Sequence, residues 1–293
     1  MSPVSPASSA TQQLLTPNAS DSAPGVTAAL RRAVDSAPTS PGVYIFLGDR
    51  TDLPLYIGKS VNLRSRLQSH LRNPDETRML AQTRRIEVIR TAGEIGALLL
   101  EASLIKQRQP LFNQRLRRNR QLCSVRLRAG RPEVVDARSV DFAAEPGLHG
   151  LFSSRHAALA ALRDLADTHR LCWGALGLER VPAGRGCFRS MIGRCAGVCR
   201  GDETPTAHQT RLAAALEAMR VCCWPYQGAI GVVERSGDLA QIHVVRNWCY
   251  LGSCTSVAEA GALTRVASSF DADGYKILAG PIMAGTVETI PLP

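Results

Sequence analysis

The sequence predicts an α+β protein: a small antiparallel sheet flanked by helices, then a cysteine-rich segment, then a small C-terminal α/β domain. Three observations carry this. Gly42-Val43-Tyr44 and Tyr56-Ile57-Gly58 lie in short β-prone runs, and the turn-forming GDRTDLP between them makes the pair a hairpin. Four cysteines, Cys172, Cys187, Cys195 and Cys199, alternate with glycines and arginines. Beyond residue 205, β-like runs mix with helical ones.

A chain of 293 residues holds two small domains, or three. No apolar run reaches the ~18 residues of a membrane span, and no basic-then-apolar leader opens the chain, so a soluble, cytoplasmic protein is expected. The net charge is +10, and residues 41–130, with seventeen basic and seven acidic side chains, hold that whole excess. Basic charge concentrated on the segment with the tyrosine motifs points to nucleic acid as partner. Lys59 is one of only three lysines in an arginine-rich chain, which suits a position that wants a compact ammonium.

Taken in order, residues 1–25 are rich in Ser, Pro, Ala and Thr and are expected to be a disordered tail. A helix over Val26–Asp35 precedes the hairpin. Leu63, Leu67 and Leu71 then recur at helical spacing, with Arg64 and Arg66 on the same helix. A helix over Glu76–Arg84 and a strand over Ile86–Arg90 follow. The clearest helix runs from Glu94 to Gln107 and is closed by Pro110. From Gly96 to Ile105 its only charge is Glu101, and an isolated carboxylate in an apolar helix needs a pairing arginine or a bound cation. These elements delimit a first domain at 26–123. A connecting region at 124–170 carries strands at Ser124–Leu127 and Glu133–Ala137 and a helix at Arg155–His169. The cysteine-rich segment is 171–204. The α/β domain at 205–293 has a helix over Thr206–Cys223, β-like runs at Ala229–Glu234, Gln241–Arg246 and Trp248–Leu251, a helix over Val257–Ser269 and a final run at Tyr275–Leu278. Trp224, Tyr226, Trp248 and Tyr250 are expected in the core rather than stacked on bases, and Cys123, Cys222, Cys223, Cys249 and Cys254 as small buried hydrophobes.

The four-cysteine pattern, C-x14-C-x7-C-x3-C, lacks the C-x2-C knuckle common in zinc sites, which favours a [4Fe–4S] cluster, with Zn2+ and unmetallated thiols as the alternatives.

The tyrosine tripeptides resemble the signature of the GIY-YIG nuclease superfamily. The stretches YIGKSVNLRSRLQSHLR, TAGEIGALLLEASLIKQRQPLFNQRLRRNRQLC and GCFRSMIGRCAGVC extend the likeness to the UvrC family, and most closely to its short, single-nuclease branch. The resemblance implies an endodeoxyribonuclease that makes the 3′ incision in nucleotide excision repair, on double-stranded DNA loaded with UvrB. A UvrB-independent nuclease of the superfamily and a non-catalytic DNA- or UvrB-binding protein are the alternatives. By the same resemblance Glu101 holds a single catalytic Mg2+ or Mn2+. Tyr56 is the general base, with its phenol lowered by Lys59, the arginines and the metal. Tyr44 places the water, Arg66 contacts the scissile phosphate and Asn113 is the active-site asparagine. His70 stands where UvrC usually has a tyrosine, to orient the phosphate or to pack. Arg64, Arg115, Arg117, Arg118 and Arg120 are expected to follow the DNA backbone. The match also implies a [4Fe–4S] cluster on the four cysteines.

Overall fold

The computed structural model describes residues 12–15, 26–49, 54–113, 122–181, 185–264 and 269–292. They form two compact units, one made of residues 1–119 together with 226–293, the other of 120–225.

The first unit begins with β1 (Gln12–Leu15), α1 (Val26–Asp35), β2 (Gly42–Leu47), β3 (Pro54–Ser60), α2 (Leu63–Arg72), α3 (Thr77–Gln82), β4 (Arg85–Arg90) and α4 (Glu94–Arg108). The sheet order is β1-β4-β2-β3, and every described pairing in it is antiparallel. The expected hairpin is β2–β3, with Tyr44 opposite Gly58 and Phe46 opposite Tyr56. All six residues of β2 are buried, because its two faces serve two cores. Tyr44 and Phe46 pack with Leu30, Val34, Leu63 and Leu67 of α1 and α2. Val43, Ile45 and Leu47 pack with Leu100, Leu104 and Ile105 of α4. The period-two alternation of a strand divides the residues this way. Each fully buried Ile or Phe contributes about 1.5–3 kcal/mol.

One expectation is corrected here. The segment read as a disordered tail supplies β1, whose residues pair with Ile86–Ile89 of β4. An open sheet edge recruits backbone through N–H and C=O groups, which composition does not report. The rest of residues 1–25 lies outside the described residues.

The second unit contains β5 (Cys123–Arg128), β6 (Arg131–Asp136), β7 (Leu148–Phe152), α5 (Arg155–Thr168), α6 (Phe188–Met191) and α7 (Pro205–Glu217). Its sheet order is β6-β5-β7. Val125, Ala158, Leu162, Leu212 and Leu216 close one core, so the region expected to be a connector packs together with α7. That helix starts at an N-cap, where the Thr204 side chain accepts from the Ala207 N–H, and it stops six residues short of the expected Cys223. The chain there turns to meet β7: Gly150 N–H donates to the Met219 carbonyl (2.6 Å) and Val221 N–H to that of Leu148 (2.8 Å).

The chain then returns to the first unit with β8 (Ile230–Ser236), β9 (Leu239–Arg246), β10 (Cys249–Cys254), α8 (Val257–Leu263), α9 (Ala272–Met283) and β11 (Glu288–Pro291). The sheet order is β10-β9-β8-β11. The division differs from the sequence expectation in two respects: residues 205–225 belong with the cysteine-bearing unit, and residues 226–293 join the unit of residues 1–119, where they pack on α4. Trp248 is fully buried, edge-on to Tyr275 at 5.2 Å. Cys123 and Cys254 are buried, whereas Cys222, Cys223 and Cys249 are half-buried. Among the described residues no helix is long and apolar enough to cross a membrane.

Candidate active site

The site forms along β3, where α2 covers one face of the sheet and α4 the other. Tyr44 is buried beneath α2, and its ring stacks on Tyr56 at 6.2 Å. A Cβ at Gly58 would overlap the Tyr44 phenol oxygen, so this strand position accepts glycine alone. Tyr44 Oη lies 2.6 Å from His70 Nε2 and accepts from Arg66 Nε at 3.3 Å. On its far side, His70 Nδ1 meets Glu76 Oε2. An ionised carboxylate only accepts, so Nδ1 carries the imidazole proton and Nε2 accepts from the Tyr44 hydroxyl. The result is a Tyr44–His70–Glu76 relay with Arg66 fixed at its outer end. Sequence reasoning missed Glu76. It follows Pro74 and Asp75 in a short 3-10 turn, and its spacing from His70 matches no helical face.

Across the sheet edge, the Glu101 carboxylate is half-buried and accepts from the Lys59 N–H at 3.1 Å. Among the described residues it forms no ion pair. Lys59 Nζ points instead to Glu94, at 2.6 Å. Asn113 is held by both ends of its amide: Oδ1 accepts from Ile57 N–H at 2.9 Å and Nδ2 donates to Ile57 C=O at 2.8 Å. It therefore braces the Tyr56-Ile57-Gly58 strand as a neighbouring strand would.

Burial first, then the Glu101 carboxylate, push the Tyr56 phenol above its ordinary value, with Arg66 opposing. The expected lowering drew on Lys59, the arginines and the metal; of these, the Lys59 ammonium is turned toward Glu94, while Arg66 acts in the expected direction. Burial likewise raises Tyr44, Tyr56 adds to it, and the Arg66 hydrogen bond opposes. Burial raises Glu101 as well, against the Lys59 N–H and the charges of Lys59 and Arg66. His70 is lowered by burial, with Glu76 opposing.

Of the residues expected on DNA, Arg64 donates from Nε to the Ala37 carbonyl at 2.7 Å, a bond that ties α2 to the end of α1. Arg115, Arg117, Arg118 and Arg120 lie outside the described residues.

In the second unit all four expected cysteines converge. The sulfurs of Cys172 and Cys187 are 3.6 Å apart, and those of Cys187 and Cys195 are 3.8 Å apart. Cys199 Sγ accepts from the Cys187 N–H at 3.3 Å, and Cys172, Cys187 and Cys199 have sulfurs within 4.8 Å of one another. Cys172, at the end of the longest gap in the motif, is an integral member. A single tetrahedral ion with Zn–S bonds of about 2.3 Å requires all six sulfur separations to be about 3.8 Å; the Cys172–Cys187 and Cys187–Cys195 pairs meet this, while Cys195 stands outside the group of three sulfurs that lie within 4.8 Å of one another. A cuboidal iron–sulfur cluster uses the same donors set further apart.

Comparison with known proteins fixes the class and then the family. Residues 40–114 match the family model of the UvrC-like GIY-YIG domain, residues 115–218 that of the UvrC/Cho excinuclease middle domain, and residues 229–293 that of the excinuclease Cho C-terminal domain. The chain is thus a GIY-YIG DNA endonuclease. It is 58% identical over 263 residues to excinuclease Cho of Salmonella typhimurium, covering 90% of each chain. To excinuclease Cho of Escherichia coli K12 it is 55% identical over 259 residues, with 88% of each covered. The chain belongs to the excinuclease Cho family. UvrABC system protein C of Rhodopseudomonas palustris is 38% identical over 183 residues, 59% of this chain and 25% of that protein. A solved structure of the N-terminal GIY-YIG endonuclease domain of UvrC from Thermotoga maritima, bound to its catalytic magnesium, is 36% identical over 29% of this chain and 94% of its own, with a TM-score of 0.27.

Proposed function

We infer that this chain makes a single 3′ incision in damaged DNA on which UvrB has been loaded, by metal-dependent phosphodiester hydrolysis in nucleotide excision repair. The observation that carries the reading is Glu101: a half-buried carboxylate with one backbone donor and, among the described residues, no cationic side chain paired to it, on a helix that meets the tyrosine hairpin. Such a group fits Mg2+ or Mn2+, which take one or two carboxylates and keep several waters. When bound there, the cation supplies charge neutralisation for the phosphoryl group and the departing oxygen.

The protein's own groups have separable tasks. Arg66 is anchored through Nε by Tyr44, and its exposed terminal N–H groups are left for a phosphate oxygen. Tyr56 is the candidate base. Its phenol is raised in part by Glu101, and a positive ion on that carboxylate reverses this contribution and moves the phenol toward the range a base needs. Asn113 keeps Tyr56 in register through the Ile57 backbone.

An end-labelled duplex with one bulky adduct, incubated with UvrA, UvrB, ATP and Mg2+, tests the reading. One cut 3′ to the adduct, absent without UvrB or Mg2+, is expected. Cutting without UvrB would instead support a general nuclease of the superfamily, and tight binding without a cut a non-catalytic DNA- or UvrB-binding role.

For the cysteine centre we infer a [4Fe–4S] cluster held by Cys172, Cys187, Cys195 and Cys199, as the resemblance to UvrC implies. Zn2+ is the second reading, supported by the Cys172–Cys187 and Cys187–Cys195 pairs at 3.6 and 3.8 Å. Phosphodiester hydrolysis involves no redox step, so either centre organises the loop. Anaerobically purified protein is expected to be brown, with iron and sulfide in equal amounts. Colourless protein with one zinc per chain would reverse the assignment.

A further inference from the structure

The helix that carries Glu101 lacks a cap of its own. Its N-cap residue is Gly93, which has no side chain to accept from the first amides. Glu234 of β8, 138 and more residues away, fills that place with both oxygens: Oε1 accepts from Ile95 N–H at 3.0 Å and Oε2 from Gly96 N–H at 2.7 Å. These are amides that a local capping side chain would engage, and the carboxylate also meets the positive end of the helix dipole.

The capping group is itself held in place. His243 of β9, fully buried, contacts Glu234 Oε2 through Nε2 at 2.9 Å and Ser253 Oγ through Nδ1 at 2.7 Å. Ser253 Oγ is in turn 2.6 Å from the Tyr250 hydroxyl. Beside this chain, Gln241 Oε1 accepts from the Ala92 N–H at 2.8 Å, just before α4 begins. At the other end of the helix, Lys106 Nζ pairs with Asp271 at 2.6 Å and Asp273 at 2.7 Å. The backbone of α4 is shaped for the docking. A Cβ at Gly93 would overlap the Glu234 carboxylate, and one at Gly96 would overlap the His243 imidazole. Burial pushes the Glu234 carboxyl up, but His243 and the two helix amides outweigh it and hold the group below its ordinary value, as an ionised cap requires.

We propose that the C-terminal sheet is a positioning device for the catalytic helix, and that Glu234 is the positioning residue through which it sets Glu101 for the divalent cation. Glu101 lies between the two grips, five residues after Gly96 and five before Lys106. The N-terminal grip fixes the start of the helix and its rotation; the Lys106 grip fixes its far end. The role of residues 226–293 is then to complete the metal site without touching the metal. The proposal rests on the reading of Glu101 as the cation ligand.

The test uses full-length protein and Mn2+ alone as probe, titrated by electron paramagnetic resonance, with incision measured against Mg2+ concentration. Glu234→Ala is expected to weaken Mn2+ binding about tenfold and to raise the Mg2+ concentration for half-maximal incision by a similar factor, with the rate at saturating Mg2+ changed much less. Glu234→Gln, which keeps one acceptor, is expected to lie between. Ser253→Ala, which releases His243 and Tyr250 but leaves the Glu234 carboxylate in place, is expected to give a smaller shift of the same sign and serves should Glu234→Ala fail to fold. Unchanged Mn2+ affinity in these variants, with Tm lowered, would show a purely structural contact and overturn the proposal. Glu101→Gln is the control: if it leaves Mn2+ binding intact, the ligand assignment itself is wrong, a failure distinguishable from the first.

Discussion

Replacing Glu101 by Gln is expected to reduce incision about a thousandfold or more, while Tm stays level or rises at neutral pH. The first effect follows from removing the charge that holds the cation, which supplies several kcal/mol of transition-state stabilisation, and about 4 kcal/mol is a thousandfold. The second follows from burial. Folding raises the Glu101 pKa, so the protonated form suits the native state and the ionised form is disfavoured once pH exceeds the folded value. Glutamine mimics the protonated form and retains an acceptor for the Lys59 N–H. A structural carboxylate would behave the other way, with Tm and activity falling together. Thermal melts and incision rates on one preparation decide between them.

Replacing His70 by Phe is expected to cost about a hundredfold in kcat/KM, the lower end of what a positioned proton-transfer group contributes. The phenol of Tyr44 would lose its acceptor and, with it, the orientation that anchors Arg66. The wild-type pH profile carries the same information. Burial depresses the His70 pKa below 6.5, so the imidazole is neutral through the physiological range and Nε2 is open to the Tyr44 hydroxyl. As pH falls through the folded value the ring gains its second proton and Nε2 ceases to accept. An acid limb in kcat/KM below pH 6.5 is the result, with native stability falling in the same direction, because the unfolded chain takes up the proton first. Glu76 opposes the depression, so Glu76→Gln is expected to move the limb to still lower pH. A limb that stays in place in both variants would remove His70 from the mechanism.

Much of this site is legible in the chain because its parts are local patterns. The tyrosine tripeptides announce a hairpin through β-propensity and turn residues, and β2–β3 pairs them. Glu101 stands out as a lone charge on an apolar helix. The cysteines mark their own convergence. What escaped reading depends on side-chain bonds between distant strands and helices. Glu76 reaches His70 through a tight turn, Asn113 uses both amide ends on a backbone 56 residues away, and Glu234 caps a helix from another sheet. The one trace of that last contact in the sequence was Gly93 with Gly96, two glycines at the mouth of a helix otherwise rich in helix formers.

The first unit is discontinuous, made of residues 1–119 and 226–293. During synthesis the tyrosine hairpin and α4 leave the ribosome long before β8 exists. At about 5–20 residues per second, the intervening chain takes roughly 5–20 s to appear. Through that interval the Ile95 and Gly96 amides have no partner from Glu234, and the helix bearing Glu101 is held by its packing on the hairpin alone. An endonuclease assembled in this order matures last at its cutting centre, and a prematurely terminated chain carries the hairpin and the glutamate without the second sheet that grips their helix.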